Sequence, residues 1–415
     1  MRFTADLHIH SRFSRATSRD LDLTQLWRWA QLKGIRVVGT GDCTHPGWLT
    51  ELERELVPAE EGLLRLRREP LLDQVPESCR APVSFLISGE ISCIYRKGGR
   101  TRKVHCLVLL PDFESAHRLN LQLSRIGTLA SDGRPILKLD AKDLLAMVIE
   151  ASPRALLIPA HAWTPHFSIF GACSGFESLE ECFDELAPEI HAIETGLSSD
   201  PAMNWRLSVL DGITLISNSD AHSAAKLGRE ATIFDTELSY DGVFQAIATG
   251  KGVAGTIEFF PEQGKYHADG HRCCGIRFSP EETIAHGYRC PTCGGKLTVG
   301  VLHRVELLAD RAAGAKPAQA PSFWSVIPLI DLIGGALRVG SASKKAEALY
   351  FQLLGGLGNE FHILLEAPLN EIAARSTATL AAGIGRMRKG EVEIEAGYDG
   401  RFGTVSVSAS EEEAT

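Results

Sequence analysis

The chain has 415 residues and a formal net charge of −9, with 44% hydrophobic and 23% charged residues. That length implies two or three domains rather than one core, and the composition is that of a soluble globular protein rather than a disordered or fibrous one. No apolar run reaches the roughly 18 residues of a membrane span, and the opening Met1-Arg-Phe-Thr-Ala-Asp6 has no signal-peptide pattern, so a cytoplasmic protein is expected. The acidic balance argues against a uniformly basic nucleic-acid binder, although carboxylates that hold cations are offset locally.

In chain order, the first chemistry is Asp6-Leu-His8-Ile-His10. Residues 23–32 read as a helix, Gly34 ends it, and the apolar run 35–38 predicts a strand that delivers Asp42 and His45. Residues 49–78, long and rich in Glu, Leu and Arg, suggest helix or an excursion over the mouth of the domain. Further strands follow: 84–87 delivers Glu90, 104–110 contains His105, 155–158 delivers His161, and 213–216 delivers Asp220 and His222. Mostly parallel strands with intervening helices predict an α/β fold built as a distorted β/α barrel over residues 1–258, about the size such a barrel needs.

The ligand types at those strand ends determine the expected chemistry. Imidazole and carboxylate without thiolate suit zinc, manganese or iron, and a shared carboxylate can bridge two ions. Two or three divalent ions (zinc, manganese or magnesium) would stabilise both the attacking and the leaving oxygen of a displacement at phosphorus, and attack by a metal-bound hydroxide is expected. His8, His10, Asp42, Glu90, His161, Asp220 and His222 are the expected catalytic residues, with His45 and His105 completing the metal ligands. His117, His166, His191 and His362 are read as structural, and Glu194 as a weaker candidate ligand.

After His161, a Gly/Ser loop at 168–178 enters a helix predicted at 179–186. Gly171, Ser174, Gly175, Phe176 and Ser178 are the substrate-loop candidates, because backbone amides there could hold a phosphate. The competing reading is an ordinary turn with Ser174 or Ser178 as helix cap. Ala248-Thr-Gly-Lys-Gly lacks the first glycine and the following Ser/Thr of a phosphate loop.

Past residue 258 the composition changes. Of the ten cysteines, four cluster as His271-Arg-Cys-Cys274 and Cys290-Pro-Thr-Cys293, two knuckles whose spacing predicts a structural zinc in a module at 259–312. The expected ligands are His271, Cys274, Cys290 and Cys293, with Cys273 an alternative to Cys274, and His267 or His286 an alternative to His271. Arg272, Arg277, Arg289, Lys296, His303 and Arg304 give the module a modest basic density. An Ala/Pro-rich linker at 313–322 precedes a third, mainly helical unit at 323–405, with helices expected at 343–354 and 369–387 and a Gly-rich turn at 397–403. Residues 406–415 read as a disordered acidic tail.

The order of Asp6-Leu-His8-Ile-His10-Ser, Gly89-Glu90, His105, His161 and Ser219-Asp220-Ala-His222 closely resembles the polymerase and histidinol phosphatase (PHP) superfamily over roughly residues 1–255. That resemblance implies a distorted β/α barrel with a trinuclear metal site. The superfamily usually has Thr-Asp-His at its second motif, whereas Cys43 and Thr44 intervene here between Asp42 and His45. A further ligand that many relatives carry after the first motif falls at Ser14-Arg-Ala-Thr17, with Asp20 or Asp22 the available substitutes.

More narrowly, the segments 14–18, 39–48, 170–182 and 297–311 resemble endonuclease Q. This implies a DNA repair endonuclease that nicks the 5′ side of hypoxanthine, uracil, xanthine and abasic sites, with the zinc and C-terminal parts gripping damaged DNA. Replication or repair proteins are expected as further partners. Two other functions remain open to the sequence: a phosphatase of a small phosphomonoester, and a non-catalytic DNA-binding scaffold with inherited ligands.

Overall fold

The computed structural model describes residues 1–70 and 74–407. Most of the expected tail, 408–415, lies outside the described residues.

A central sheet runs from Ser322–Ser325 through Val253–Glu258, Ala231–Asp235, Arg2–Asp6 and Val37–Gly39 to Ser84–Lys97. There it branches to the short pair Leu56–Pro58 and Leu64–Leu66 and, through Arg100–Leu110, to Leu156–Pro159. Ala192–Glu194 and Thr214–Ile216 form a separate parallel pair. The α/β architecture with a helical C-terminal region is therefore as expected, but the predicted barrel is not closed. No ladder among the described residues joins Leu156–Pro159 to Ala192–Glu194, or Thr214–Ile216 to Ala231–Asp235.

Strand alternation divides the apolar residues into two cores. Ala5, Val37, Leu86, Leu107 and Ile158 share one cluster, while their neighbours Val38, Phe85, Ile87, Val108 and Leu157 pack in the other, against the helices. A period of two puts Glu90 on the face of Leu86, and His105 on the face of Leu107 and Leu109. These ligands therefore continue the inner face of the sheet.

Asp22 caps the first helix, Leu23–Lys33, and Gly34 ends it at φ 92°. The 49–78 stretch is partly helix, Pro46–Glu55, and partly the antiparallel pair on the sheet edge. The helix expected at 179–186 is only Leu179–Phe183, followed by a 3₁₀ segment. Helix Lys344–Leu357 matches expectation, but 369–387 is broken into Leu369–Arg375 and Ala378–Arg388, with Thr377 capping the second. Among the described residues no helix is long and apolar enough to cross a membrane.

The expected boundary at residue 323 falls within a strand. Ser322–Ser325 pairs in parallel with Val253–Glu258, so the chain after the linker first returns to the central sheet. Helices then follow, docked by a buried Lys33–Glu360 ion pair at 2.7 Å and by Ser78 Oγ donating to the Leu354 carbonyl. The last hairpin, Glu393–Glu395 with Thr404–Ser406, follows helix Ala378–Arg388. Its turn packs on residues 262–271 beside the cysteine knuckles, through bonds such as Gly397 N–H to Glu262 O and Ala268 N–H to Gly397 O.

Candidate metal centre and cleft

Three histidine-bearing segments converge on Glu90, which is wholly buried in the middle of Ser84–Lys97. One carboxylate oxygen lies 3.3 Å from His10 Nε2 and 3.5 Å from His8 Nε2, and the other lies 2.6 Å from His105 Nδ1 and 3.1 Å from His161 Nε2. The donors thus fall into two groups that could each hold a metal ion: His8, His10, Glu90 and Asp220, and Glu90, His105 and His161. Glu90 belongs to both, so its carboxylate would be shared if each group held an ion.

The residues fit such ions on a second ground. His8 Nε2 is buried and has no hydrogen-bond partner, an arrangement normally costly for a polar atom and natural for a ligand. Its Nδ1 faces both oxygens of Glu194 at 3.1 and 3.0 Å, which fixes the proton on Nδ1 and leaves the Nε2 lone pair facing the cluster. Glu194 also accepts the His161 N–H and the Asn218 amide.

Charge balance follows from burial and proximity. Burial pushes the Glu90 carboxyl up, yet His105, His8 and Arg134 together hold it well below the usual range. Burial likewise opposes protonation of His8 and His10, but the adjoining carboxylates outweigh it and raise both, so without a cation each favours the imidazolium, and a metal ion would displace the Nε2 proton to gain the lone pair. Burial dominates at His105, whose pKa falls to about 4, so this imidazole is neutral and available as a ligand. Arg134, not singled out from the sequence, places Nη1 3.0 Å from Glu90 Oε2.

Asp42 reaches the cluster indirectly. It faces His10 Nδ1 at 3.0 Å and accepts from Ser11 N–H, Ser11 Oγ and Ser14 Oγ. Ser14, at the place where a further ligand was sought, therefore positions Asp42 and His10, and neither Asp20 nor Asp22 enters the donor groups. His222 lies beside His10 with ring centroids 4.5 Å apart and the planes tilted by 59°, and its Nδ1 faces the Asp220 carbonyl at 2.9 Å.

His45 is not brought into the cluster. Its Nδ1 accepts the Trp48 N–H as cap of helix Pro46–Glu55, and its Nε2 faces the Ala130 carbonyl. Asp42, His161 and Asp220 all have positive φ, at 46°, 31° and 47°, which non-glycine residues rarely adopt. Strain of this kind is held where the surrounding contacts over-determine the backbone, as at functional sites.

His105, His161 and Asp220 form the floor of a cleft of about 800 Å³. Phe167, Phe259, Tyr266 and Phe402 supply aromatic walls, and Lys226, Arg229 and Lys265 supply positive charge. The expected substrate-loop residues lie elsewhere. Phe176 is wholly buried under the Arg102 guanidinium, Ser178 caps helix Leu179–Phe183, and Ser174 donates to the Lys103 carbonyl. Gly171 and Gly175 pack too closely for a side chain, since a Cβ on Gly175 would lie 2.4 Å from Gly171 N. The residues just before the loop, Thr164, Pro165, His166 and Phe167, line the cleft instead.

A separate group, His271, Cys274, Cys290 and Cys293, brings four donor atoms within 4.8 Å of one another. The alternatives fall away by placement: Cys273 is exposed and outside the group, His286 stacks on Phe278, and His267 is buried along the cleft. Burial works against the Cys290 thiolate, but backbone N–H groups of Cys293 and Thr292 bring its pKa down to about 6.

A family model described as the MJ0043 C-terminal domain matches residues 328–391. The Methanocaldococcus jannaschii protein MJ0043 is 30% identical over 254 residues, 59% of this chain and 31% of that protein, so the chain spans less than a third of this relative. YqxK of Bacillus subtilis is 28% identical over 429 residues, covering 97% of this chain and 98% of YqxK. Among solved structures, the lesion-specific endonuclease PfuEndoQ from Pyrococcus furiosus has a TM-score of 0.86 at 28% identity, covering 100% of this chain and 98% of its own. Endonuclease Q in complex with a 27-mer duplex carrying an abasic lesion at the active site has a TM-score of 0.85 at 29% identity, with the same coverage.

Proposed function

We propose that this chain, which shares the endonuclease Q fold from end to end, is a metal-dependent DNA repair endonuclease acting at lesions. The observation that carries the reading is Glu90: one buried carboxylate with two histidines on each side, of which His105 and His161 reach the floor of an aromatic, cation-lined cleft. Kinship with the PHP superfamily is proposed from the motif order.

Divalent ions held there, whether zinc, manganese or magnesium, would supply Lewis acidity at the scissile phosphate and activate water. His8, His10, Asp220 and one Glu90 oxygen make one seat, and His105, His161 and the other Glu90 oxygen make the second. Asp42 and Glu194 orient the histidines from behind, and Arg134 tempers the charge of Glu90. Lys226 and Arg229 are placed to hold DNA phosphates at the rim.

The damaged nucleotide is extruded into the cleft, which costs least where the base is mispaired or missing. The nick falls on the 5′ side of hypoxanthine, uracil, xanthine or an abasic site and leaves a 5′ phosphate. His271, Cys274, Cys290 and Cys293 hold one structural zinc, a closed four-ligand site. The catalytic unit comprises residues 1–258 completed by strand Ser322–Ser325. The zinc module and the C-terminal hairpin act as one DNA-facing unit, and residues 328–391 form the helical one.

The test is a denaturing gel of end-labelled DNA carrying one deoxyinosine, deoxyuridine or abasic site, with undamaged DNA alongside and divalent metal present. A lesion-dependent 5′ nick that disappears in His8→Ala and Asp220→Ala is the expected result. Cleavage blind to lesions, or none with any metal, would return the chain to the phosphatases of small phosphomonoesters.

A further inference from the structure

Phe402 is 71% exposed, more than any other large apolar side chain among the described residues. It stands at the wall of the cleft whose floor is His105, His161 and Asp220. Most exposed apolar side chains sit on mobile or unremarkable surface and need no explanation. This one is held by an unusually well-fastened turn.

Gly397 N–H bonds to Glu262 O at 2.8 Å, Gly400 N–H to Lys265 O at 2.8 Å and Gly403 N–H to Gln263 O at 3.1 Å, while Tyr398 and Arg401 bond to each other through both main-chain groups. The two flanking glycines are required by close backbone approach, since a Cβ would lie 2.4 Å from Gly264 O at position 397 and 2.2 Å from Glu262 O at position 403. Asp399 adds the cysteine-knuckle module to the same clamp, accepting from Arg272 N–H and Thr298 Oγ, each at 2.6 Å. Within this turn Tyr398 turns its ring inward, 5% exposed, and Phe402 does not.

An exposed ring gains nothing in the free protein, but the backbone that carries it is already ordered, so binding there does not have to order the turn. The chemistry that matches it is another flat apolar face with negative charge close by. Lys265 lies beside it, with Nζ 5.7 Å from the Phe402 centroid and 5.7 Å from that of Tyr266. A nucleobase with its attached phosphate has both features, and base–aromatic stacking is tolerant of sequence.

We infer that Phe402 is a stacking platform at the mouth of the cleft: its ring packs against a base adjoining the lesion, and Lys265 meets the neighbouring phosphate. This rests on the endonuclease reading above and adds to it a residue that contacts substrate away from the metal seats. The platform compensates the flanking base for the stacking partner lost when the damaged nucleotide enters the cleft.

The experiment uses the full chain loaded with divalent metal and a duplex with one abasic site flanked by 2-aminopurine. Wild-type cleavage is measured first, and its lesion dependence tests the endonuclease reading separately. Phe402→Ala is expected to lower kcat/KM by about 10- to 100-fold. In its complex the 2-aminopurine is brighter than in the wild-type complex, with bound metal and melting temperature unchanged. Phe402→Trp is expected to stay within about three-fold of wild type and to keep the probe quenched. Lesion-dependent cleavage by all three proteins at equal efficiency and equal probe emission would overturn the stacking role while leaving the endonuclease intact.

Discussion

The carboxylate of Glu194 lies 3.0 Å from His8 Nδ1, and on the far side of the ring His8 Nε2 lies 3.5 Å from Glu90. One buried imidazole thus links a carboxylate that orients it to a carboxylate shared by both donor groups. Coordination of this kind depends on the outer partner almost as much as on the ligand, because that partner sets the tautomer and the ring angle.

Glu194→Gln keeps the shape and removes the charge. Metal affinity is expected to fall about 10- to 100-fold, read by titration of the metal-free protein with zinc or manganese. Unchanged affinity would mean that the carboxylate is not needed to set the His8 tautomer.

His45→Ala tests the reassignment of that residue from ligand to helix cap. The expected result is a loss of about 1 kcal/mol of stability in chemical denaturation, with the bound-metal stoichiometry of wild type. A loss of bound metal would restore His45 to the ligands.

Cys290→Ala should remove one zinc per chain and leave the other metal content in place. Hydrogen exchange is expected to accelerate at 269–298 and also at 397–403, because Asp399 is bonded to Arg272 and Thr298 across that module. Faster exchange confined to 269–298 would show that the hairpin is anchored by residues 262–265 alone.

Glu258 predicts a dependence of stability on pH. Burial is the main influence on its carboxyl, and with Asp200 nearby it outweighs hydrogen bonds from Thr195 and Ser217, raising the pKa to about 8. The folded state binds the proton more tightly than the unfolded state, so this contribution is full below pH 4.5, the ordinary value, and is lost as pH rises through about 8. Melting curves from pH 5 to 9 should therefore fall less steeply for Glu258→Gln than for wild type, with the variant the more stable above pH 8. Parallel curves would show that Glu258 ionises as readily folded as unfolded.

Sequence alone determined what depends on residue type and short spacing. Paired histidines two residues apart and cysteines three apart are constrained by the chain itself, so His8, His10, Cys290 and Cys293 could be placed with their partners before any fold was known. The α/β order and most strands were also legible, because alternation and turn residues are local signals.

Tertiary structure alone decided which side chains meet across strands. That Glu90 faces two histidine pairs depends on the register of Ser84–Lys97 against Arg100–Leu110, and a slip of one residue would turn it to the other face. Glu194 and Arg134 carry no motif and act only through neighbours far away in the chain, and Ser14 joins His10 close by to Asp42 farther along. The loop at 171–178 looked open from its glycines and serines, yet in the fold those glycines serve close packing and Phe176 is buried, facts set by neighbours rather than by composition. Phe402 gains its position the same way, through a turn clamped to residues more than a hundred positions earlier, because backbone hydrogen bonds between distant segments leave no trace in the residues that make them.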